Sequence, residues 1–220
     1  MLIAHRNGMT VKGGWVNPYV TNGLVAMWDG EWNAGGSVHD SAATTWVDLS
    51  GTGNDLTVSS PAYFADNSFH VNRASPAAIT NNPIGGIPLT LEFCGIEPNN
   101  DAGLTFGWIN VNRFVCHRAT YIENFGNNGP GFHVDNGELF SGGEIYDSES
   151  TVSGTVFKNG EIVSSTIGAN FSAFNFDGFG ARYDFKSSAI VKCLRLYNRR
   201  LTSAEIAHNY AVDKARFNLP

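Results

Sequence analysis

Short apolar and β-branched runs recur along this chain, each bounded by Gly, Asn, Asp or Ser, and this recurrence most constrains its fold. Runs of about four to eight such residues between turn formers indicate β-strands. Only 15% of the residues are charged, well below the roughly 25% of an average domain, and Gly contributes 25 of 220. These features predict an all-β chain of short strands and tight turns. The predicted strands lie within residues 23–30, 56–58, 68–73, 88–96, 103–111, 114–122, 131–137, 150–167, 176–185 and 189–198.

The pair Asn159-Gly160 is the clearest local turn signal. A type I′ hairpin turn needs φ > 0 at both central residues, which Asn and Gly tolerate. The sequence therefore predicts a hairpin across residues 155–164, and Asp135-Asn136-Gly137 predicts a second one. By contrast, residues 141–150 (SGGEIYDSES) read as a loop or a sheet edge.

One helix is predicted near the C-terminus, over Ser203–Phe217. It starts with a capping box, in which the Thr202 hydroxyl accepts from the Glu205 amide and the Glu205 side chain reaches back. A narrow apolar stripe follows and predicts the buried face. The stripe consists of Ile206, Tyr210 and Ala211, with Ala207 and Ala215. A single short helix at the end of a β chain is expected to be a packing or lid element.

Neither repeats nor a linker divide the sequence, so a single domain of residues 22–220 is predicted, with residues 1–21 as an N-terminal arm or attachment segment. The net charge of −6 argues against nucleic acid as a partner, because phosphate binding needs a basic surface. No stretch reaches membrane-spanning length, and the start lacks a signal-peptide core. The three cysteines are widely spaced and are expected to be buried, reduced thiols. They are Cys94, Cys116 and Cys193.

Four segments, in this order along the chain, resemble the laminin-G-like, concanavalin A-like lectin/glucanase family: GLVAMWDG, W-x-D-L-S-G-x-G-N-D, FKNGEIV and LRLYNRRLTSAEI. The resemblance covers roughly residues 23–217. It implies a two-sheet antiparallel jelly-roll sandwich, completed here by the short C-terminal helix. It also implies binding to carbohydrate or to a protein surface, often with calcium, although this fold carries many functions.

Glucanases of that family carry alternating carboxylates on one strand, which places their acid pair in one cleft. The nearest pattern here is Glu144, Asp147 and Glu149. The spacing of three between Glu144 and Asp147 would put these side chains on opposite faces of a strand. A non-enzymatic protein is therefore expected, with a glycoside hydrolase that uses an unrecognised acid pair as an alternative.

Sugar recognition uses flat aromatic faces beside polar side chains that bind hydroxyl groups. The candidate carbohydrate-binding residues are Trp32, Tyr121, Asn127, Asn128 and Tyr146. For Trp32 the alternative is a partly buried loop anchor, and for the two asparagines it is a turn. Three further tryptophans lie in apolar strands and are expected to fill the core: Trp28, Trp46 and Trp108.

The loop after Trp46 carries an oxygen at every second side chain: Asp48, Ser50, Thr52 and Asn54. This spacing resembles the start of an EF-hand calcium loop. That interpretation fails because Ser59 occupies loop position 12, where a bidentate acid is required. A calcium site shared with other loops stays open, with Asp48, Asn54 and Asp55 as candidate ligands. The alternative is a turn, in which Asp48 binds the backbone, Gly51 and Gly53 supply φ > 0, and Trp46 is buried beneath.

Taken together, these features favour a carbohydrate-binding module. Because the resemblance implies a fold usually found outside cells and the start lacks a signal-peptide core, we expect a bacteriophage virion surface protein, as a fibre, tail or capsid decoration. The expected partners are glycans and other virion proteins, with a homotrimer as one possible assembly. A purely structural decoration protein without a ligand is an alternative. The expected location is the virion surface, after synthesis in the host cytoplasm, or the extracellular space if a signal segment has been removed.

Overall fold

A computed structural model gives the fold of the chain. It describes residues 16–36, 38–58, 63–72, 78–85, 89–96, 103–106, 114–118, 133–134, 139–146, 155–164, 175–181 and 188–219. Within these residues, strands form two sheets and one helix lies near the C-terminus. The predicted strand-rich class with a single C-terminal helix is therefore confirmed. No helix in the described part of the chain is long and apolar enough to cross a bilayer.

The first sheet has the strand order β13-β12-β11-β7-β15-β5-β4, and β1 also pairs with β15. All of its pairings are antiparallel. Its strands are β1 (Leu24–Asp29), β4 (Tyr63–Ala65), β5 (Ser68–Asn72), β7 (Leu89–Ile96), β11 (Leu139–Tyr146), β12 (Thr155–Lys158), β13 (Glu161–Ser164) and β15 (Ser188–Tyr197).

The second sheet has the order β10-β9-β8-β14-β6-β3-β2 and is antiparallel except for the β9–β10 pair. Its strands are β2 (Thr45–Trp46), β3 (Leu56–Val58), β6 (Ala78–Gly85), β8 (Gly103–Phe106), β9 (Phe114–Arg118), β10 (His133–Val134) and β14 (Asn175–Ala181).

Aromatic side chains from both sheets meet in the core. Trp46 of β2 stacks on Phe69 of β5 at 4.8 Å between ring centroids, and it meets Phe64 edge-on at 5.4 Å. Trp28 of β1 stacks on Phe176 of β14 at 5.2 Å. Offset and edge-on pairs at these distances stabilise a core beyond the area they bury. The expectation that Trp28 and Trp46 fill the core is confirmed; Trp108 lies outside the described residues.

The outer face of the first sheet is covered by helix α1 (Ser203–Phe217). Successive side chains of a strand point to opposite faces, so Leu194 and Leu196 face the second sheet while Cys193, Arg195 and Tyr197 face the helix. All five are fully or almost fully buried. β15 is therefore covered on both sides, which explains its nearly continuous apolar sequence.

Residues preceding β1 pack beneath this helix. The Tyr19 side chain is buried and belongs to the same apolar cluster as Ile206 and Leu219. The Val20 amide donates to Asn209 Oδ1 at 2.9 Å, and the Pro18 carbonyl lies 2.9 Å from His208 Nε2. Residues 18–20 thus contribute to the fold, while the division into an arm of residues 1–21 and a domain of residues 22–220 stays a prediction.

Two local predictions are confirmed in detail. Asn159 and Gly160 have φ values of 50° and 79°, as a type I′ turn between β12 and β13 requires. Helix α1 begins after Thr202, whose side chain accepts from the Glu205 amide while the Glu205 side chain binds the Thr202 amide. The other predicted turn, at residues 135–137, lies outside the described residues.

The predicted buried face of the helix is confirmed at Ile206 and Tyr210, which belong to or pack against the core cluster, and was wrong at the alanines. Ile206 is buried as expected, but Asn209 and Asp213 are the other fully buried helical positions, whereas Ala207 and Ala211 are exposed. The reason is that the sheet presents charged and hydroxyl groups at this contact, so polar helix residues are stabilised there.

The interpretation of residues 141–150 as a loop or edge was also wrong for its described part. Strand β11 runs through Tyr146 and lies between β7 and β12, so it is an interior strand. Strand β6 was not predicted, because Asn81-Asn82-Pro83 resembles a turn. Its register against β14 shifts around this stretch, and proline is tolerated at such irregularities because it has no amide to donate.

Candidate functional site

The loop after Trp46 is organised by a single carboxylate. Asp48 Oδ1 accepts from the Met27 and Ser50 amides at 2.9 and 2.8 Å. Its Oδ2 accepts from the Asn54 amide at 3.0 Å and from the Ser50 hydroxyl at 2.8 Å. The Thr52 hydroxyl also lies 2.8 Å from Oδ2. Both oxygens of Asp48 are therefore saturated by donors from the protein itself.

The remaining polar groups fasten this loop to strand β1. Asp55 Oδ1 accepts from the Asp48 amide at 2.8 Å, and Asn54 Nδ2 donates to the Val25 carbonyl at 2.7 Å. The indole of Trp28 donates to the Asn54 carbonyl at 3.0 Å. The alternating oxygen side chains of the sequence thus form a hydrogen-bonded bracket between the loop and β1.

The bracket matches the turn interpretation of the loop. Gly51 and Gly53 have φ values of 87° and 84°, and Trp46 is fully buried. Among the residues that the structure describes, no group of three or more His, Cys, Asp or Glu side chains is arranged to hold a metal. A cation at Asp48 would have to displace the amides bound there, so the donor set fits a turn better than a calcium site. Calcium binding through Asp48, Asn54 and Asp55 stays a prediction.

Trp32 packs against the hydrophobic core cluster, as a partly buried loop anchor would, and lies beside two charged side chains. We call Glu31, Trp32 and Arg216 the Trp32 cluster. The Trp32 side chain is half-buried, and the Arg216 guanidinium carbon lies 4.1 Å from its ring centroid. Arg216 Nη2 donates to the Glu31 carboxylate at 3.0 Å, and the Glu31 side chain is 42% exposed. A cation over an indole face is an attractive arrangement that holds both groups in place.

Arg216 links this cluster to the interior. Its Nη1 donates to Asp29 Oδ2 at 2.7 Å and to the Tyr19 hydroxyl at 2.8 Å. Burial opposes the charge on Arg216, but Asp29 and Tyr19 outweigh it and raise the pKa of the guanidinium. Burial raises the pKa of the Asp29 carboxyl, against the opposing effect of Arg216. Trp32 is thereby tied, through Arg216, to a buried ion pair.

A second buried ion network joins the sheet to helix α1. Arg195 binds Asp213 through two parallel hydrogen bonds of 2.8 and 2.6 Å, and its Nε donates to Glu92 at 2.8 Å. Although burial acts against the charge, Asp213 and Glu92 raise the pKa of Arg195. Burial raises the pKa of Glu92, with Arg195 acting in the opposite direction.

Neutral partners complete this network. Asn209 Nδ2 donates to Glu92 at 2.7 Å and lies 3.0 Å from the Tyr197 hydroxyl. The Tyr19 hydroxyl donates to Asp213 at 2.7 Å. Since Glu92 and Asp213 are buried and occupied by these donors, a substrate could not reach them while the helix is in place. The arrangement serves to hold the helix on the sheet.

The structure does not bring the predicted carbohydrate-binding residues together. Trp32 lies in the loop after β1, and Tyr146 ends β11 opposite Leu89 in β7. Tyr121, Asn127 and Asn128 lie outside the described residues. The three candidate metal ligands share one loop, as their spacing requires.

The charged network was missed from the sequence, although a signal for it was present. Glu92 and Arg195 each interrupt an apolar strand, and a charge at such a position needs a buried partner. They are also directly opposite in the β7–β15 register. Sequence alone did not indicate that Asp213 and Arg216, on the helix, complete the ion pairs.

No family model matches this chain, and no curated protein matches it in sequence. Solved structures do match it in fold. The botulinum neurotoxin type G receptor binding domain has a TM-score of 0.54 at 14% identity, over 87% of this chain and 52% of that one. Trypanosoma rangeli sialidase, in complex with a difluoro-KDN ligand, has a TM-score of 0.58 at 16% identity, over 88% of this chain and 33% of the sialidase. The same sialidase with sialic acid has a TM-score of 0.53 at 18% identity. The chain thus spans about half of the first protein and a third of the second, and what it shares with them is a β fold.

Proposed function

We propose that this chain is a non-enzymatic carbohydrate-binding module built as a two-sheet jelly-roll sandwich. The observation that carries the proposal is the fold likeness, over 88% of the chain, to a sialidase whose structures hold sialic acid and related ligands. The likeness to a neurotoxin receptor binding domain supports a recognition role for this kind of fold. The sequence motifs that resemble those of lectins also support a carbohydrate-binding role.

We place the sugar contact at the Trp32 cluster. An indole beside a carboxylate and a guanidinium offers an apolar surface together with an acceptor and donors for sugar hydroxyls. The Arg216 guanidinium is held by Asp29 and Glu31, so its donors are preorganised. Preorganisation lowers the entropic cost of binding.

A glycan array probed with the purified chain tests the proposal, and binding to at least one glycan class is expected. Glu31→Gln should weaken that binding by about tenfold, since a lost charge-assisted hydrogen bond costs on the order of 1.5 kcal/mol. Val38→Ala is the matched control, because Val38 is 53% exposed in the same loop region. A folded chain that binds no glycan would refute the function. Equal binding by wild type and Glu31→Gln would instead remove only the site assignment.

The non-enzymatic part of the proposal rests on the sequence, where the spacing of Glu144 and Asp147 does not match the alternating acids of the glucanases, and two further carboxylates are inaccessible. Glu92 and Asp213 both bind Arg195 beneath the helix, away from solvent. Fluorogenic glycosides, a sialoside among them, should therefore stay intact with the purified chain. Hydrolysis above the level of a heat-denatured sample would favour the glycoside hydrolase alternative.

The finer proposal, from the sequence alone, is that the module is displayed on a bacteriophage virion. Cryo-electron microscopy and mass spectrometry of purified virions should then detect the chain on the particle surface. Light scattering after size exclusion would test the proposed trimer. If the chain is found on the particle but binds no glycan on the array, a purely structural decoration protein would be favoured.

A further inference from the structure

Two cysteines are direct neighbours across strands β7 and β15. Cys94 and Cys193 are register partners in this antiparallel pair. Directly opposed residues of antiparallel strands have Cα atoms about 4.5–5.5 Å apart. Disulfides form across Cα separations of about 4.4–6.8 Å, so this register brings the two cysteines within reach of each other, beside the register shift between Val191 and Cys193.

The two side chains also share one environment. Both thiols are free, fully buried and part of the apolar cluster beneath helix α1. Cys94 lies on the same face of β7 as Glu92, and Cys193 on the same face of β15 as Arg195, by strand alternation. The Arg195 Nη1 atom is 3.4 Å from the Cys193 sulfur. Both thiols therefore point into the space between the sheet and the helix.

Helix α1 and Tyr19 close this space in the reduced protein. Burial raises the pKa of both thiols, so the closed form holds them as unreactive thiols rather than thiolates. A disulfide reagent can reach them only when the helix lifts from the sheet or before the chain has folded. The helix thereby controls access to the pair.

We propose that Cys94 and Cys193 form a cross-strand disulfide when the chain meets a small-molecule disulfide such as oxidised glutathione. One thiolate attacks the glutathione disulfide, forming a mixed disulfide and releasing one glutathione thiolate. The second cysteine thiolate then attacks the protein-side sulfur and releases the second glutathione. Two thiol protons and two electrons pass to the two glutathione molecules, and one S–S bond joins β7 to β15. The bond forms when the chain leaves a reducing compartment.

The test incubates the full chain with oxidised glutathione and maps the peptides by mass spectrometry. The expected product is a Cys94–Cys193 cross-linked peptide that has lost two hydrogens, with a higher urea midpoint than the reduced chain. Cys116→Ser should still form it, whereas Cys94→Ser should not. Absence of the cross-link both in the native chain and after refolding in a glutathione buffer would overturn the proposal. So would preferential pairing of either cysteine with Cys116.

Control by the helix is tested separately through the rate of cross-linking. Glu205→Gln removes the ion pair between Glu205 and Arg199 at the start of the helix and should raise the rate several-fold, because the helix opens more often. Ala211→Gln, at an exposed position on the same helix, is the matched control and should leave the rate unchanged. Equal rates for Glu205→Gln and wild type would refute the role of the helix.

Discussion

Replacing Asp213 by alanine would leave the Arg195 guanidinium buried with only one carboxylate partner. Asp213 is fully buried and accepts hydrogen bonds of 2.6–2.8 Å from Arg195 and Tyr19. Removing one member of a buried ion pair typically costs about 3–5 kcal/mol. Glu92 still binds Arg195 at 2.8 Å, which places the expected loss at the lower end, about 3 kcal/mol. That is a large share of the ~5–15 kcal/mol of a typical domain.

Urea unfolding followed by tryptophan fluorescence measures this loss, because Trp28 and Trp46 are fully buried. With a slope of about 2–3 kcal/mol per molar urea, the midpoint should fall by about 1 M. Ala211→Gln is the control, since an exposed substitution on the same helix should change stability by less than about 0.5 kcal/mol. A loss below about 1 kcal/mol for Asp213→Ala would mean that the network does not hold the helix on the sheet.

Three further predictions concern the cap, the turns and the loop. The hydrogen bond from Arg199 lowers the pKa of Glu205 to about 2, from an ordinary value of 4.5. The ionised Glu205 side chain therefore stabilises the fold fully above pH 4.5, and this stabilisation is lost as the pH falls through about 2. Urea unfolding should show Glu205→Gln about 1 kcal/mol less stable than wild type at pH 7, and most of this difference should be gone at pH 2; a constant difference would contradict this. Gly53→Ala should lower the free energy of unfolding by about 1 kcal/mol, through the positive φ of this residue alone. Gly160→Ala should lower it by about 1–3 kcal/mol more, because the added Cβ would lie 2.7 Å from the Tyr210 ring. Tyr210→Ala should abolish that excess in a double-mutant cycle. Asp48→Ala should lower the free energy of unfolding by about 3 kcal/mol, since three backbone amides lose their acceptor. In calorimetry, calcium should leave the wild-type Tm at its value in a chelator. A rise that is absent in Asp55→Asn would instead make the loop a metal site.

The features predicted well from sequence are those specified by a few neighbouring residues. The Thr202–Glu205 capping box and the Asn159-Gly160 turn each depend on contacts within four residues, so the chemistry of the motif decides the geometry. Most strands were located because apolar runs between turn formers have few other stable conformations. The turn around Asp48 was one of the two interpretations that the sequence left open, and it too depends on neighbouring residues.

The features missed from sequence are those decided by distant partners. Strand β6 contains Asn81-Asn82-Pro83 and is stabilised by pairing with β14, which lies about ninety residues further along the chain. Local propensity favours a turn there, and tertiary pairing overrides it. The candidate site shows the same limit: Trp32 was singled out as a sugar contact, but its neighbour Arg216 is 184 positions away.

The short strands, tight turns and capped helix of this chain can be predicted from neighbouring residues, because they follow from backbone conformation and local hydrogen bonds. Which face of the helix is buried depends on contacts with the sheet. Asn209 and Asp213 are buried in place of the alanines because Glu92 and Arg195 of the sheet lie opposite them. A buried charge is tolerated only beside its counter-charge, and only folding brings those residues together.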